Sequence, residues 1–299
     1  MIVVEPLGGL GNQLFVYGLG LAVSRRLGVP LVADLGRIQH DKKRRYELPS
    51  FRNSLSPREA DVPGPGGPGF HLHRILRSKL GGPGHYRNFY YETREGFDSR
   101  FLDVPDGSRL RGYFQSWRYV DTVATELREE LWEVRNPSPW FHEQRSRLSA
   151  LDNWVGVHVR RGDYKDLAGM AVGEIYYERA LALLSELGLL QNIVVFSDEI
   201  ELAQQMSLWR QMPNVTFCDS PPETQPIETL LLMSLASHLV IANSTFSWWA
   251  AWAGERPGRR VIFPQPWRTS ADETGDLIPP GWVGLSREPD VLSPGPQPV

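Results

Sequence analysis

Two stretches of this chain carry the residue types needed to hold a phosphate group. The first is His158-Val159-Arg160-Arg161-Gly162-Asp163-Tyr164. Adjacent guanidiniums can serve different partners, and each planar fork matches a pair of phosphate oxygens, which a single ammonium cannot do. Asp163 supplies a carboxylate that can hold one arginine in place. An Arg–Asp pair on a surface turn has the same composition and little energetic weight; the apolar strand just before the arginines favours the phosphate reading. The second stretch is Asn243-Ser244-Thr245-Phe246-Ser247-Trp248-Trp249. Small hydroxyl residues opening a helix leave backbone N–H groups and positive dipole potential for an anion. Plain N-capping by Ser244 or Thr245 is the competing reading. Trp248, Trp249 and Trp252 read as core before they read as a sugar platform.

Two further stretches are suggestive. Phe196-Ser197-Asp198-Glu199 ends an apolar run, and an acid there suits ribose hydroxyls or a base edge, although an N-cap with an acidic first turn reads the same way. Gly8-Gly9-Leu10-Gly11-Asn12-Gln13 lacks the G-x-G-x-x-G spacing of a dinucleotide site, since no third glycine follows until Gly18. It reads as a turn that lets a phosphate or sugar approach the backbone at Gly9 and Gly11, with the amides of Asn12 and Gln13 pointing into a cleft. No Asp-x-Asp occurs in the sequence. That pair commonly holds a divalent ion on a diphosphate; here arginines and a helix N-terminus take over the neutralisation.

The elements that position these residues follow from periodicity. Ile2–Leu7 reads as a strand, a helix runs through Leu14, Tyr17, Leu21 and Arg25, and Val29–Leu35 is a second strand. The Pro/Gly-rich stretch Asp61–Gly84 reads as loop. Leu110–Phe114 is a strand and Val120–Leu131 a helix. The second half alternates: strands at Val155–Val159, Asn192–Ser197, Val215–Cys218, Leu239–Ala242 and Val261–Phe263, and helices at Ile175–Leu187, Ile200–Gln211, Ile227–Leu235 and Phe246–Gly254. Such alternation predicts parallel sheets covered by helices, an α/β fold. A break near Asn136–Pro139 divides the chain into an N-terminal α/β domain, 1–138, and a C-terminal Rossmann-like domain, 139–299. Ligands in open α/β sheets bind beyond the carboxyl ends of the strands, where the loops after Val159, Ser197 and Ala242 lie.

The bulk numbers exclude several classes. The 299 residues suit two domains, and 41% hydrophobic with 22% charged residues is ordinary for a globular protein. A net charge of −3 draws in neither nucleic acid nor an anionic membrane. The single cysteine, Cys218, makes no intrachain disulfide and favours a reducing compartment. The start has no signal-peptide pattern, and the longest apolar stretch, near Leu230–Ala242, is too short to span a bilayer. The expectation is a cytoplasmic, soluble protein whose membrane association, if any, is peripheral.

Taken in order, GGLGNQLFVYGLG (8–20), GYFQSWRYV (112–120), VHVRRGDY (157–164), FSDE (196–199), LLMSLASH (231–238) and NSTFSWWAAW (243–252) resemble glycosyltransferase family 11, the α-1,2-fucosyltransferases. The resemblance implies a GT-B fold, two Rossmann-type domains facing across a cleft, with the acceptor on the N-terminal side and the GDP-sugar in the C-terminal domain. It implies GDP-β-L-fucose as donor, a galactose-terminated glycan as acceptor, inversion at the anomeric carbon, and no metal or other cofactor. Arg160 then binds the β-phosphate and is catalytic. His158 helps hold the guanine, and Arg161, Asp198, Asn243 and Ser244–Ser247, including Thr245 and Phe246, complete the donor site. The family usually reads Glu-Asp where this chain has Glu228-Thr229, which leaves Glu228 as the carboxylate for the base. It usually has Asp-Asp after Phe-Ser, where this chain has Asp198-Glu199, and Val16 replaces a common Gln. Asp163 and Glu47 are the candidate general bases, with Asp163 equally readable as a structural partner of Arg161.

The competing classes are a transferase using another GDP-sugar, a nicotinamide-dependent oxidoreductase, and an inactive sugar-binding protein. The glycine spacing argues against the oxidoreductase, and a sugar-binding module has no need of a diphosphate site.

Overall fold

The computed structural model describes residues 1–58, 85–86, 89–162, 171–268 and 276–287. The expected loop at 61–84 and the candidate base Asp163 lie outside the described residues. The chain divides into two compact units. One comprises Met1–His142, Glu223–Leu231 and Glu273–Pro280; the other comprises Glu143–Pro222, Leu232–Asp272 and Gly281–Val299. Besides a crossing close to 138/139, the chain therefore returns twice to the first unit.

The first unit is built on β1 (Ile2–Val4), β2 (Leu31–Asp34), β3 (Leu55–Arg58), β4 (His85–Tyr86), β5 (Phe89–Tyr91) and β6 (Arg109–Arg111), in the order β3-β2-β1-β6-β5-β4. All neighbours are parallel except β4, which runs antiparallel to β5. Helix α1 (Leu10–Leu27) is buried along most of its length and ends where Gly28 turns left-handed at φ 65°, as helices commonly do. The single helix expected over 120–131 is two, α2 (Trp117–Asp121) and α3 (Ala124–Trp132). Ser116 caps α2 one turn earlier than expected, and the Thr122 hydroxyl donates back to the Tyr119 carbonyl at the break. Such side-chain bonds compete with helix propagation. Helix α4 (Pro139–Ser149) follows.

The second unit holds β7 (Trp154–Val159), β8 (Asn192–Ser197), β9 (Val215–Phe217), β10 (His238–Val240), β11 (Val261–Gln265) and β12 (Val283–Ser286), with helices α5 (Glu174–Glu186), α6 (Ile200–Gln204) and α8 (Thr245–Ala253); helix α7 (Pro226–Ser234) starts in the first unit and ends in the second. Every neighbouring pair is parallel, and the order is β9-β8-β7-β10-β11-β12. This is the strand order of a dinucleotide-binding sheet. Trp154–Val159 is buried at all six positions, which is why it reads as an unbroken apolar run. One layer of core joins Val155, Val157 and Val159 to Tyr176, Tyr177, Ala180 and Leu184 of α5. The three tryptophans of α8 are core: Trp248 and Trp249 are fully buried, Trp252 nearly so, and their rings pack against one another at 5.1–6.3 Å.

Candidate functional site

In the second sheet β7 and β10 are adjacent, and the chain leaves them in opposite directions, β7 towards β8 and β10 towards β11. Such a switch point is where open α/β sheets bind ligands. Arg160, Arg161 and Gly162 follow β7 directly, Asp198 follows β8, and Asn243–Ser247 lead from β10 into α8. Three stretches singled out in the sequence thus reach the carboxyl end of one sheet.

Asp198 organises this end of the sheet. Its Oδ1 accepts from the Arg161 backbone N–H at 2.9 Å, its Oδ2 from that of Gly162 at 3.0 Å, and Arg160 Nη1 lies 3.1 Å from the same Oδ2. A Cβ on Gly162 would sit 2.4 Å from Oδ2, so the loop closes on the carboxylate only because this residue has none. Asp198 therefore sets the loop and the Arg160 guanidinium, and its oxygens are engaged within the protein. The Arg160 side chain is 19% exposed.

His158, one residue before the end of β7, is 3% exposed and lies 5.9 Å from the Phe246 ring. Burial, reinforced by the Arg160 charge, pushes its pKa down to about 3, so the imidazole is neutral. Its Nδ1 is buried without a hydrogen-bond partner. Across the switch point, Ser244 caps α8 by accepting from the Phe246 N–H at 3.3 Å. The fully buried Ser247 hydroxyl donates to the carbonyls of Ser244 and Ala242. Asn243 is buried, while Thr245 and Phe246 are half-buried. The hydroxyls of Ser244 and Ser247 thus serve the helix itself, and what this terminus offers an anion is its backbone and dipole.

The first unit has a cleft of its own, of about 380 Å³, beside the Gly8–Gly9 turn. Gly8 adopts φ 70°, and a Cβ there would meet Asn12 Nδ2 at 2.6 Å. Gly9 and Asn12 line the cleft. Gln13 does not: it is fully buried, its Nε2 donates to the carbonyls of Gly8 and Arg45, and its Oε1 accepts from the Glu47 N–H. It ties the turn to the 45–47 segment, because a buried amide takes whatever backbone groups surround it. Gly11 is buried inside α1. Glu47 is half-buried, and burial raises its pKa.

Glu228 is also displaced from its expected role. It is fully buried, with Oε1 accepting from the Ser138 N–H at 2.6 Å and Oε2 from the Ser138 hydroxyl at 2.8 Å. It fastens the start of α4, where the Ser138 hydroxyl in turn accepts from the Phe141 N–H, and both carboxylate oxygens are bonded there instead of facing a base. The sequence reading passed over Arg37, Lys43, Arg44 and Tyr113, which line the cleft. The run Lys42-Lys43-Arg44-Arg45 was the available signal. Cys218 is buried, which pushes its thiol up to about 12.

The sequence profile for "Glycosyl transferase family 11" matches residues 85–286, more than half of the chain. The chain belongs to glycosyl transferase family 11. It is therefore an enzyme of the glycosyltransferase class, with a two-unit α/β fold. Among family relatives, the Escherichia coli O-antigen biosynthesis glycosyltransferase WbnK is 26% identical over 93% of this chain and 98% of its own. An α-1,2-colitosyltransferase from Escherichia coli is 28% identical over 96% and 99%. The rabbit (Oryctolagus cuniculus) galactoside α-(1,2)-fucosyltransferase 2 is 26% identical over 84% of this chain and 66% of its own. Among the described residues of this family 11 enzyme, no helix is long and apolar enough to cross a membrane.

Proposed function

We propose that this enzyme moves L-fucose from GDP-β-L-fucose to the 2-hydroxyl of a terminal galactoside, with inversion and without a metal ion. The observation that carries this reading is Arg160, held by Asp198 at the switch point of the second sheet beside the N-terminus of α8. The relatives' α-1,2 transfer to galactosides supports the linkage. In the reaction the bond from the anomeric carbon to the β-phosphate oxygen breaks, and negative charge gathers on GDP. Arg160 and the dipole of α8 meet that charge, an arrangement worth more as the bond breaks than before it. The acceptor oxygen closes on the opposite face of the sugar and gives up its proton to a base, for which Asp163 and Glu47 are the candidates. The neutral His158, with its open Nδ1, and Arg161 complete the donor side. The second unit is the donor side of this reading and the first unit the acceptor side.

A second donor sugar is favoured by one observation, the colitosyl transfer of a relative as similar as any other reported above. The test is a panel of GDP-fucose and a second GDP-deoxysugar against several galactosides, with the product linkage read by NMR. An α-1,2-fucosyl product is expected. Transfer from the second donor alone overturns the fucose assignment, and a product linked elsewhere overturns the 2-hydroxyl assignment.

A further inference from the structure

The cleft of the first unit combines two chemistries that the donor reading does not use. Its wall is cationic. Among the described residues, Arg37, Lys43 and Arg44 line it together with one carboxylate, Asp41, whose Oδ1 accepts from the backbone N–H groups of Lys43 and Arg44 at 2.8 and 3.1 Å, while Arg37 also reaches the buried Glu5 carboxylate at 3.9 Å. Asp41 thus shapes the turn that presents the two cations. Arg44 Nη1 lies 3.7 Å from where a Cβ on Gly9 would be, over the floor of the cleft. The other side is aromatic. Tyr113 lines the cleft and is 44% exposed. Its position is imposed: Glu92 accepts from the N–H groups of Tyr113 and Phe114 at 2.7 and 2.9 Å. Phe114 is left-handed at φ 53°, with its ring buried on Tyr90. A bulky residue in that region is strained and persists where its surroundings over-determine it. The next residue, Gln115, donates to Asn12 Oδ1 at 3.0 Å, which pins the Tyr113 loop to the glycine turn.

A ring with a negative face suits the apolar, positively polarised C–H face of a pyranose. Guanidinium and ammonium groups beside it suit an acid carried by that sugar or its neighbour. A chain of net charge −3 does not attract anions as a whole, so the grouping of Lys43 and Arg44 beside Tyr113 is a feature of the cleft. We propose that the cleft takes an acidic galactoside acceptor, with a pyranose face on Tyr113 and a carboxylate or phosphate on Lys43 and Arg44. This rests on the glycosyl-transfer reading for the word acceptor, but the binding it describes can be measured without turnover.

The test uses the full chain with GDP present and compares three probes by titration calorimetry or ligand-observed NMR. These are lactose, galactosyl-glucuronic acid and lactose 1-phosphate. At least one acidic probe is expected to bind about tenfold or more tightly than lactose, with the advantage shrinking as salt screens it. The carboxylate and phosphate arms identify which acid the cleft reads. K43Q/R44Q should remove the advantage while the protein keeps its melting temperature and its response to GDP. Tyr113→Ala should weaken all three probes alike. Equal affinity for the three probes, including failure of all three to bind, overturns the proposal, as does an acid preference that survives K43Q/R44Q. Acid-selective binding without any fucosyl transfer would leave this proposal standing and remove the transfer reading instead.

Discussion

At the scale of single residues, the proposed mechanism rests on Arg160. In the free enzyme its Nη1 pairs with Asp198, which fixes the guanidinium before substrate arrives, and preorganised donors need little rearrangement as charge develops. Losing one such donor typically lowers kcat by about 10²–10³, and Arg160→Ala should show at least that. Arg160→Lys keeps the charge but loses the planar fork and should also be severely impaired. Melting temperatures measured alongside kcat separate this from misfolding. A folded Lys variant that keeps more than about a third of wild-type kcat would remove bidentate phosphate recognition as the source of catalysis. His158 makes a separate prediction about pH. Its folded pKa, about 3, lies below the unfolded value near 6.5. The unfolded chain therefore binds a proton that the folded chain refuses, so the stability from burying the neutral ring is complete above pH 6.5 and is lost as pH falls towards 3. The loss is roughly 2 kcal/mol by pH 5. His158→Gln lacks this titration, while the carboxylates titrate in both proteins. The stability gap between wild type and H158Q should therefore narrow by about that amount between pH 7.5 and 5. Parallel stability curves would show that the ring is not held neutral.

Elements decide which polar residues reach a ligand, and here the sequence was only partly legible. Strands β7 and β8 were readable because burial on both faces writes an apolar run at Trp154–Val159 and Asn192–Ser197. The strand order of the second sheet placed Arg160, Asp198 and Asn243–Ser247 together. The helix expected over Ile200–Gln211 instead stops at Gln204 and resumes as a 3-10 turn at Ser207–Gln211. Glu174, from a distant helix, accepts from the Ser207 N–H and hydroxyl and from the Leu208 N–H, and no local pattern announces a cap that comes from more than thirty residues away. The short strands β3, β5 and β12 also passed unread, since a few residues of mixed burial give little periodicity. Glu228 fails to be a base-binding residue for the same non-local reason: helix α7 brings it against Ser138. Glu228→Gln can keep both contacts, its oxygen accepting from the Ser138 N–H and its amide donating to the hydroxyl, so stability should stay within about 1 kcal/mol of wild type. Glu228→Ala strands two buried groups and should cost about 1–3 kcal/mol in a denaturant melt. Both variants should keep the KM for GDP-fucose. A large rise in that KM for a stable E228Q would restore the guanine role.

For the molecule as a whole, the question is how a chain of net charge −3 releases a nucleoside diphosphate. The negative charge must be met locally, either by a divalent ion held on carboxylates or by fixed cations and dipoles. In the proposed reading the switch point of the second unit supplies the latter: Arg160, Arg161 and the start of α8. Among the described residues there, the Asp198 carboxylate is already committed to two backbone N–H groups and to Arg160. Recruiting it to a hard cation would release the loop that presents the arginines, so the two solutions compete for the same oxygens. The sequence, which contains no Asp-x-Asp, offers no second pair in the usual spacing. Transfer from GDP-fucose should therefore keep most of its rate in excess EDTA, and added Mg²⁺ or Mn²⁺ should not raise it. The comparison with Asp198→Asn sharpens the test. If Asp198 positions Arg160, the variant should lose kcat whether or not metal is present, because the amide cannot accept from both N–H groups and also pair with the guanidinium. If Asp198 is a metal ligand, wild-type activity should collapse in EDTA and return with the ion, while the variant should be indifferent to both. That second pattern would sink the arginine-based account of the leaving group.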